Sequence, residues 1–348
     1  MNDFSTEIHK WYKTNKRDLP WRNSTDPYFI WLSEVILQQT RVAQGYKYFL
    51  AFINEFPTVE HLAAATEDKV LKLWQGLGYY SRARNLHKTA KIIVNDFNGE
   101  FPADFKKLLK LKGVGTYTAA AIASIAFNLP YPTVDGNVYR VLARYYGIQT
   151  PIDSNSGKKE FYEIAKSLLP PQNPGMHNQA FMEFGALQCV PKSPNCINCP
   201  VEQTCLANKN SLINLLPVKS KKSKQRIRYF NYYYIDNGDF TFIEKRDTND
   251  IWRNLYQLPL IETKKELTEN EFLQNLPFCS NIKRNVKTIT AKRKHVLSHQ
   301  IIYARTVHIE INEKDFNCDK FIPINKKDIS KFAVPRLLEL IFEDLGIT

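Results

Sequence analysis

The sequence predicts two unlike domains, a mainly α domain over residues 1–216 and an α+β domain over residues 229–348, joined by a basic linker at 217–228. Three observations carry this division. Up to about Ala207, apolar residues recur at spacings of three and four, with glycine and proline punctuating them, which is the period of packed helices. Residues 217–228 then carry six basic side chains in twelve positions and neither helical nor strand period, as a linker does. Beyond them, Tyr229–Ile235, Phe240–Glu244 and Ile301–Ile309 are rich in aromatic and β-branched residues and bounded by turn signals, as strands are.

The 348 residues and their 43% apolar content suffice for two cores. A formal net charge of +13 beside 13% aromatic residues points to a polyanionic partner, nucleic acid before a membrane surface. The first residues, Met1–Glu7, lack the charged start and apolar core of a secretory signal, so the chain is expected in the cytoplasm. No stretch reaches the roughly 18 apolar residues of a membrane helix, and no membrane partner is expected. Four of the six cysteines crowd between Cys189 and Cys205, while Cys279 and Cys318 stand alone, a distribution that suits metal binding better than a disulfide framework.

The first well-marked helix follows Thr25-Asp26-Pro27, a capping residue and then proline at the first helical position. It runs through Tyr28–Leu37, apolar nearly all round, and is therefore predicted to be buried. Glu34 shares a face of it with Ile30, Trp31, Leu37 and Gln38, so desolvation is expected to raise its pKa. Residues 105–127 read as a helix, a Gly113-Val114-Gly115 turn and a helix of small residues, a helix-hairpin-helix. The two glycines are expected to let a phosphate approach the backbone, with the next helix N-terminus aimed at it. Asp135 precedes Gly136-Asn137 and a helix through Leu142, where the helix dipole is expected to keep a capping carboxylate ionised.

Cys189, Cys196, Cys199 and Cys205 follow a six, two, five spacing, with Pro191, Pro194 and Pro200 keeping the intervening chain out of regular helix. Four thiolates suit a [4Fe–4S] cluster or tetrahedral zinc, and ligand chemistry alone does not choose. The spacing resembles the cluster loop of the endonuclease III superfamily of DNA glycosylases, and the helix-hairpin-helix ahead of it strengthens that likeness. In the second domain the strands are followed by Val334–Leu345, read as a closing helix.

Excising a base needs an acid for the leaving base and an anion for the oxocarbenium-like sugar, and Glu34 and Asp135 suit these roles. With Leu32–Thr40, Gly76–Leu86 and Val134–Asn137 added, nearly the whole chain resembles the MutY-type adenine DNA glycosylases. The resemblance implies a helix-hairpin-helix glycosylase domain with an iron–sulfur loop, followed by a MutT-like (Nudix-fold) domain. It implies a monofunctional base-excision enzyme that binds double-stranded DNA carrying adenine opposite 8-oxoguanine or guanine, expected to be a monomer and nucleoid-associated if bacterial. By the same likeness Glu34 protonates adenine and Asp135 supports the sugar cation, with Tyr117 and Asn137 bonding around them. Arg17, Trp21, Arg22 and Leu37 would line the adenine pocket, supported by Gln179. Gln39, Leu77 and Tyr79 would wedge at the oxidised guanine, and Ser298 and His299 would read it. The metal box of true Nudix hydrolases has no counterpart after Leu258-Pro259, so no hydrolase activity is expected of the second domain. Rival readings are a bifunctional pyrimidine-damage glycosylase/lyase, a thymine mismatch glycosylase and a non-enzymatic binder of damaged DNA.

Overall fold

The computed structural model describes residues 3–220, 225–247, 250–274, 284–311 and 320–347. Cys279, Cys318 and part of the linker, residues 221–224, lie outside the described residues. The chain divides into two compact units, Met1–Ala64 with Asn85–Lys221, and Ala65–Arg84 with Lys222–Thr348. The boundary therefore departs from a single cut at the linker: a stretch of twenty residues early in the chain packs with the C-terminal unit. The linker itself is also shorter than its charge suggested. Val218 packs against the first core and its carbonyl accepts from the Ile152 amide at 3.0 Å, while Arg226–Arg228 already belong to a strand.

The first unit is helical. In chain order the helices are α1 (Asp3–Asn15), α2 (Pro27–Leu37), α3 (Val42–Glu55), α4 (Val59–Ala64), α5 (Glu67–Leu73), α6 (Ser81–Phe97), α7 (Phe105–Leu108), α8 (Thr116–Ile125), α9 (Gly136–Tyr146), α10 (Asn155–Leu168), α11 (Pro174–Leu187) and α12 (Leu206–Lys209); α5 and the start of α6 fall in the second unit. The start of α2 follows from its sequence: the Asp26 carboxylate caps the Tyr28 amide at 2.8 Å, and Pro27 occupies the first turn. One core gathers Phe4, Ile8 and Tyr12 of α1, Val141 and Leu142 of α9, and Phe181 and Phe184 of α11. The polar face of α11 is thereby turned toward the segment after α1.

In the hairpin between α7 and α8 the two glycines do different work. Gly113 has φ +77°, and a Cβ there would meet the Asn85 Cβ at 2.8 Å, so this glycine serves the turn and its packing. Gly115 caps α8 and has open space where its Cβ would be. Both glycines are exposed, so the backbone of the turn stays open at each.

The second unit holds strands β1 (Arg226–Asp236), β2 (Phe240–Lys245), β3 (Tyr256–Gln257), β4 (Leu260–Thr263), β5 (Arg284–Ile289), β6 (Arg293–Val296), β7 (Gln300–Ile311) and β8 (Ile322–Asn325), with helices α13 (Glu269–Gln274) and α14 (Arg336–Leu345). Parallel β1 and β7 form the centre of one sheet, ordered β4-β1-β7-β5 with β6 also on β7, and β3-β2-β8 form a smaller one. Being covered on both faces, β1 is buried continuously from Phe230 to Ile235 instead of alternating with polar residues. Phe230, Tyr232 and Tyr234 share a core with Leu337 and Ile341 of α14, whereas Tyr233 and Ile235 face Phe272 of α13. The closing helix starts two residues later than expected because Val334 and Pro335 remain extended ahead of it.

Candidate active site

In the first unit a cavity of about 740 Å³ is lined by side chains from α2, α8, α9, α11 and the segment after α1. It gathers Arg17, Trp21, Arg22, Glu34, Leu37, Gln39, Tyr117, Asp135, Asn137 and Gln179, ten of the residues expected from the sequence. Gly113, Gly115 and the four cysteines lie elsewhere in the same unit, and Leu77, Tyr79, Ser298 and His299 belong to the second unit.

Glu34 projects from the otherwise apolar α2, with Ile30, Trp31 and Val35 buried around it. Burial pushes its carboxyl up from the ordinary 4.5 to about 7; Asp135 adds to the rise, while a hydrogen bond from Tyr117 and the charge of Arg22 oppose it. The Met182 sulfur, 3.1 Å from the Tyr117 hydroxyl, is the alternative acceptor for its one proton. Burial next to two carboxylates drives the phenol pKa well above its usual value, so Tyr117 remains a proton donor at any working pH.

Asp135 caps α9, accepting from the Asn137 amide at 2.9 Å and the Val138 amide at 2.8 Å through Oδ1, and from the Asn137 side chain at 2.7 Å through Oδ2. The cap is the expected one, but the direction of its pKa is not. Burial raises it above the ordinary value, and the cap bonds with Arg140 only limit that rise. Helix position alone underestimates what desolvation does to this group.

Arg17 and Arg22 lie at the cavity wall, where both clamp a carboxylate that sequence reasoning missed. Glu183 accepts from Arg17 Nε at 2.8 Å and Nη2 at 2.5 Å, and from Arg22 Nη1 at 2.8 Å and Nη2 at 2.6 Å. Burial would raise its pKa, but these bonds bring it down to about 2, so Glu183 stays ionised across any working range. Its position four residues after Gln179 on α11 was the available signal, since that spacing places both on one face. Gln179 itself accepts from the Tyr12 hydroxyl at 3.1 Å. Arg140, also unanticipated, joins Asn137 Oδ1 at 2.8 Å to the Cys189 carbonyl at 2.7 Å.

Cys189, Cys196, Cys199 and Cys205 line one small, largely apolar cavity with Arg144, Phe184 and Val201. All four are free of disulfides. Among the described residues, no three metal-binding side chains converge tightly enough to hold a single ion. Arg144 is 2% exposed, and its guanidinium bonds the carbonyls of Val190, Pro191, Ile213 and Leu216 and, at 3.4 Å, the Cys189 sulfur. A buried guanidinium satisfied by carbonyls still calls for compensating negative charge. The four cysteine sulfurs on this wall are soft donors of the number and kind that an iron–sulfur group takes, and binding such a group as thiolates would supply that charge, so the donor set fits an anionic sulfur-ligated group.

In the second unit a cavity of about 610 Å³ is lined by Gly76–Ser81, Asp250–Trp252 and His295–Gln300, among others. Gly76 at φ +91° and Gly78 at φ +73° shape a turn that leaves Tyr79 half exposed. Leu77, expected to project beside it, is only 6% exposed and forms part of the wall. The Tyr79 hydroxyl is hydrogen-bonded to Ser298 Oγ. Ser298 and His299 are exposed, and the His299 carbonyl accepts from the Arg226 amide at 2.9 Å.

An acid poised near neutrality and a second buried carboxylate, set in a helix-hairpin-helix domain, define the class: residues 32–171 match the HhH-GPD superfamily of base excision DNA repair proteins, and residues 231–344 match the NUDIX domain. The solved structures it resembles include a thermostable thymine-DNA glycosylase, at TM-score 0.56 and 31% identity, and a non-covalent endonuclease III–DNA complex, at TM-score 0.53 and 25% identity. Each likeness covers 60% of this chain and 95% of the other. The adenine DNA glycosylase of Buchnera aphidicola subsp. Acyrthosiphon pisum is 34% identical over 351 residues, covering 98% of this chain and 97% of that protein. The human adenine DNA glycosylase is 43% identical over 213 residues, covering 59% of this chain and 39% of that one. The chain belongs to the adenine DNA glycosylase family.

Proposed function

We propose that this protein hydrolyses the N-glycosidic bond of adenine mispaired with 8-oxoguanine or guanine in duplex DNA, and that it does so without cutting the strand. The observation that carries the reading is the pairing of Glu34, whose carboxyl sits at about 7, with a second buried carboxylate across one cavity. An adenine turned out of the duplex enters a cavity walled by Trp21, Leu37 and Gln179. Glu34 delivers its proton to the ring, the electrons of the glycosidic bond leave with the base, and the Asp135 carboxylate opposes the positive charge left on the sugar. Water adds to that carbon and gives up a proton to the Glu34 carboxylate, giving free adenine and an abasic site and restoring the acid. Tyr117 holds the Glu34 carboxyl in place through its hydroxyl. Glu183 keeps Arg17 and Arg22 fixed at the wall. No lysine lines the cavity among the described residues, which supports hydrolysis over Schiff-base chemistry.

Cys189, Cys196, Cys199 and Cys205 would hold a [4Fe–4S] cluster, with Arg144 donating to a ligand sulfur. Bound there, the cluster supplies a cross-link that fixes the loop between α11 and α12. In the second unit, Ser298 and Tyr79 contact the base opposite adenine. The test is incubation with duplexes carrying adenine opposite 8-oxoguanine, guanine or cytosine, followed by alkali. Alkali-dependent cleavage at adenine in the first two alone supports the reading; cleavage without alkali, or none, overturns it.

A further inference from the structure

We propose that Arg228 is a positioning residue for reading the base opposite adenine, holding the Leu297–Gln300 loop from the start of β1; this rests on the reading that Ser298 contacts that base. Ser298 and His299 are exposed and bury nothing of their own, so the loop takes its position from its anchors. Besides the β6–β7 pairing and the Tyr79–Ser298 bond, three of these come from the first residues of β1 or just before it. Gln225 Nε2 donates to the Leu297 carbonyl at 3.1 Å, the Arg226 amide donates to the His299 carbonyl at 2.9 Å, and Arg228 Nη1 donates to Gln300 Oε1 at 3.0 Å. Arg228 is the only buried side chain of the three, at 4% exposure.

Its remaining donors are divided between two carboxylates. Nε and Nη2 fork onto Glu262 at 2.8 and 2.5 Å, and Nη1 and Nη2 fork onto Asp250 at 3.0 and 2.6 Å. The guanidinium lies over the Phe230 ring, 4.8 Å from its centroid. Asp250 in turn begins the Ile251-Trp252 segment, where Arg246 bonds the Ile251 carbonyl at 3.0 Å and Trp252 sits at φ +60°, a conformation rare for a bulky side chain. Asp250, Trp252, Ser298 and Gln300 all line the same cavity. One guanidinium thus sets two walls of the recognition cavity against each other.

A stability role alone is a poor account of this arrangement. Buried ion networks add little over apolar residues of the same size. A planar five-donor fork, however, fixes three acceptors in one geometry, which neither lysine nor an apolar side chain can do. Asp250 and Glu262 keep 32% and 35% side-chain exposure, so water can solvate them when the guanidinium is removed and the fold should persist.

The experiment uses the full chain and four proteins: wild type, Arg228→Lys, Gln300→Ala and Ser298→Ala. Single-turnover excision is measured on adenine opposite 8-oxoguanine and opposite guanine, alongside thermal melting. Arg228→Lys and Gln300→Ala are expected to lower the ratio of the two rates by about tenfold, as small misplacements of a contact do, with the rate opposite guanine and the melting temperature nearly unchanged. An unchanged ratio in both, with Ser298→Ala lowering it, overturns the proposal while leaving the loop reading intact. An unchanged ratio in Ser298→Ala but a lowered one in both anchors removes Ser298 as the contact and keeps the anchoring. No change in any variant overturns both. A parallel loss on both duplexes marks a general structural role and also overturns the proposal. Should Arg228→Lys fail to fold, Gln300→Ala decides.

Discussion

Replacing Glu34 with glutamine changes one proton and almost no volume, and its consequences can be worked out for both rate and stability. A carboxyl at its ordinary 4.5 would be protonated in about one molecule in 300 at pH 7, whereas one at about 7 is protonated in about half, a gain of roughly 150-fold in competent enzyme. Burial is the main source of that gain. Single-turnover excision by the wild type should therefore be level below pH 7 and fall about tenfold per pH unit well above it. Glu34→Gln should retain duplex binding and lose about 10²- to 10⁴-fold in excision, with no alkaline limb in what remains. The stability effect has the opposite sign. Because the folded-state pKa is raised, the native protein binds the proton more tightly than the unfolded chain does. Its stability is then greatest below about pH 4.5 as far as this group is concerned, and falls as pH rises toward 7. Glu34→Gln removes that penalty, so by denaturant titration it should be more stable than wild type at pH 8 and lose the advantage near pH 4.5. A wild-type rate that stays flat from pH 6 to 9, or a glutamine variant within a few-fold of wild type, would refute the assignment of Glu34 as the acid.

Asp135→Asn should bind mismatched duplex and fail to turn over; an active variant would reduce Asp135 to a helix cap, a role an asparagine fills nearly as well. Tyr117→Lys puts an amine against Glu34 in the same cavity and should yield borohydride-trappable complexes and strand nicking that the wild type lacks; a folded variant that never traps would show that the side chain does not reach the sugar. Glu183→Gln leaves Arg17 and Arg22 without their carboxylate and should weaken capture of the flipped adenine several-fold, read as slower excision at subsaturating enzyme; unchanged kinetics would relegate the clamp to packing. As purified, the protein should be brown, absorbing in the violet–blue region, and Cys199→Ser should bleach it; a colourless wild type with stoichiometric zinc would overturn the cluster reading.

Local chemistry made much of this molecule legible. Asp26-Pro27 marks the start of α2, the apolar run after it locates Glu34 in a dry setting, and the direction of its pKa follows from that run alone. What stayed hidden depended on partners remote in sequence. Glu183 lies more than 160 positions from the arginines it clamps, and its spacing from Gln179 marks a face of α11 without announcing the pairing. Asp135 looked like an ordinary cap because its burial is contributed by neighbouring helices. Gly113 was legible as a turn glycine, but not that Asn85 in α6 fills the space where a side chain would stand. In the second unit, the aromatic run of β1 identified a strand but not that its first residues anchor the loop after β6.

The assignment of residues 65–84 to the C-terminal unit bears on how the chain is made. Lys72, Tyr80 and Gln75 find hydrogen-bond partners at Phe332, Val334 and Glu339, and Asp68 pairs with Lys245. Synthesis at about 5–20 residues per second separates these partners by roughly ten seconds to a minute. For that interval residues 65–84 wait for the rest of their compact unit to be made. A message that stops at the linker would leave residues 65–84 without the rest of their compact unit, so this stretch should exchange its amides faster in the helical part made alone than in the whole protein.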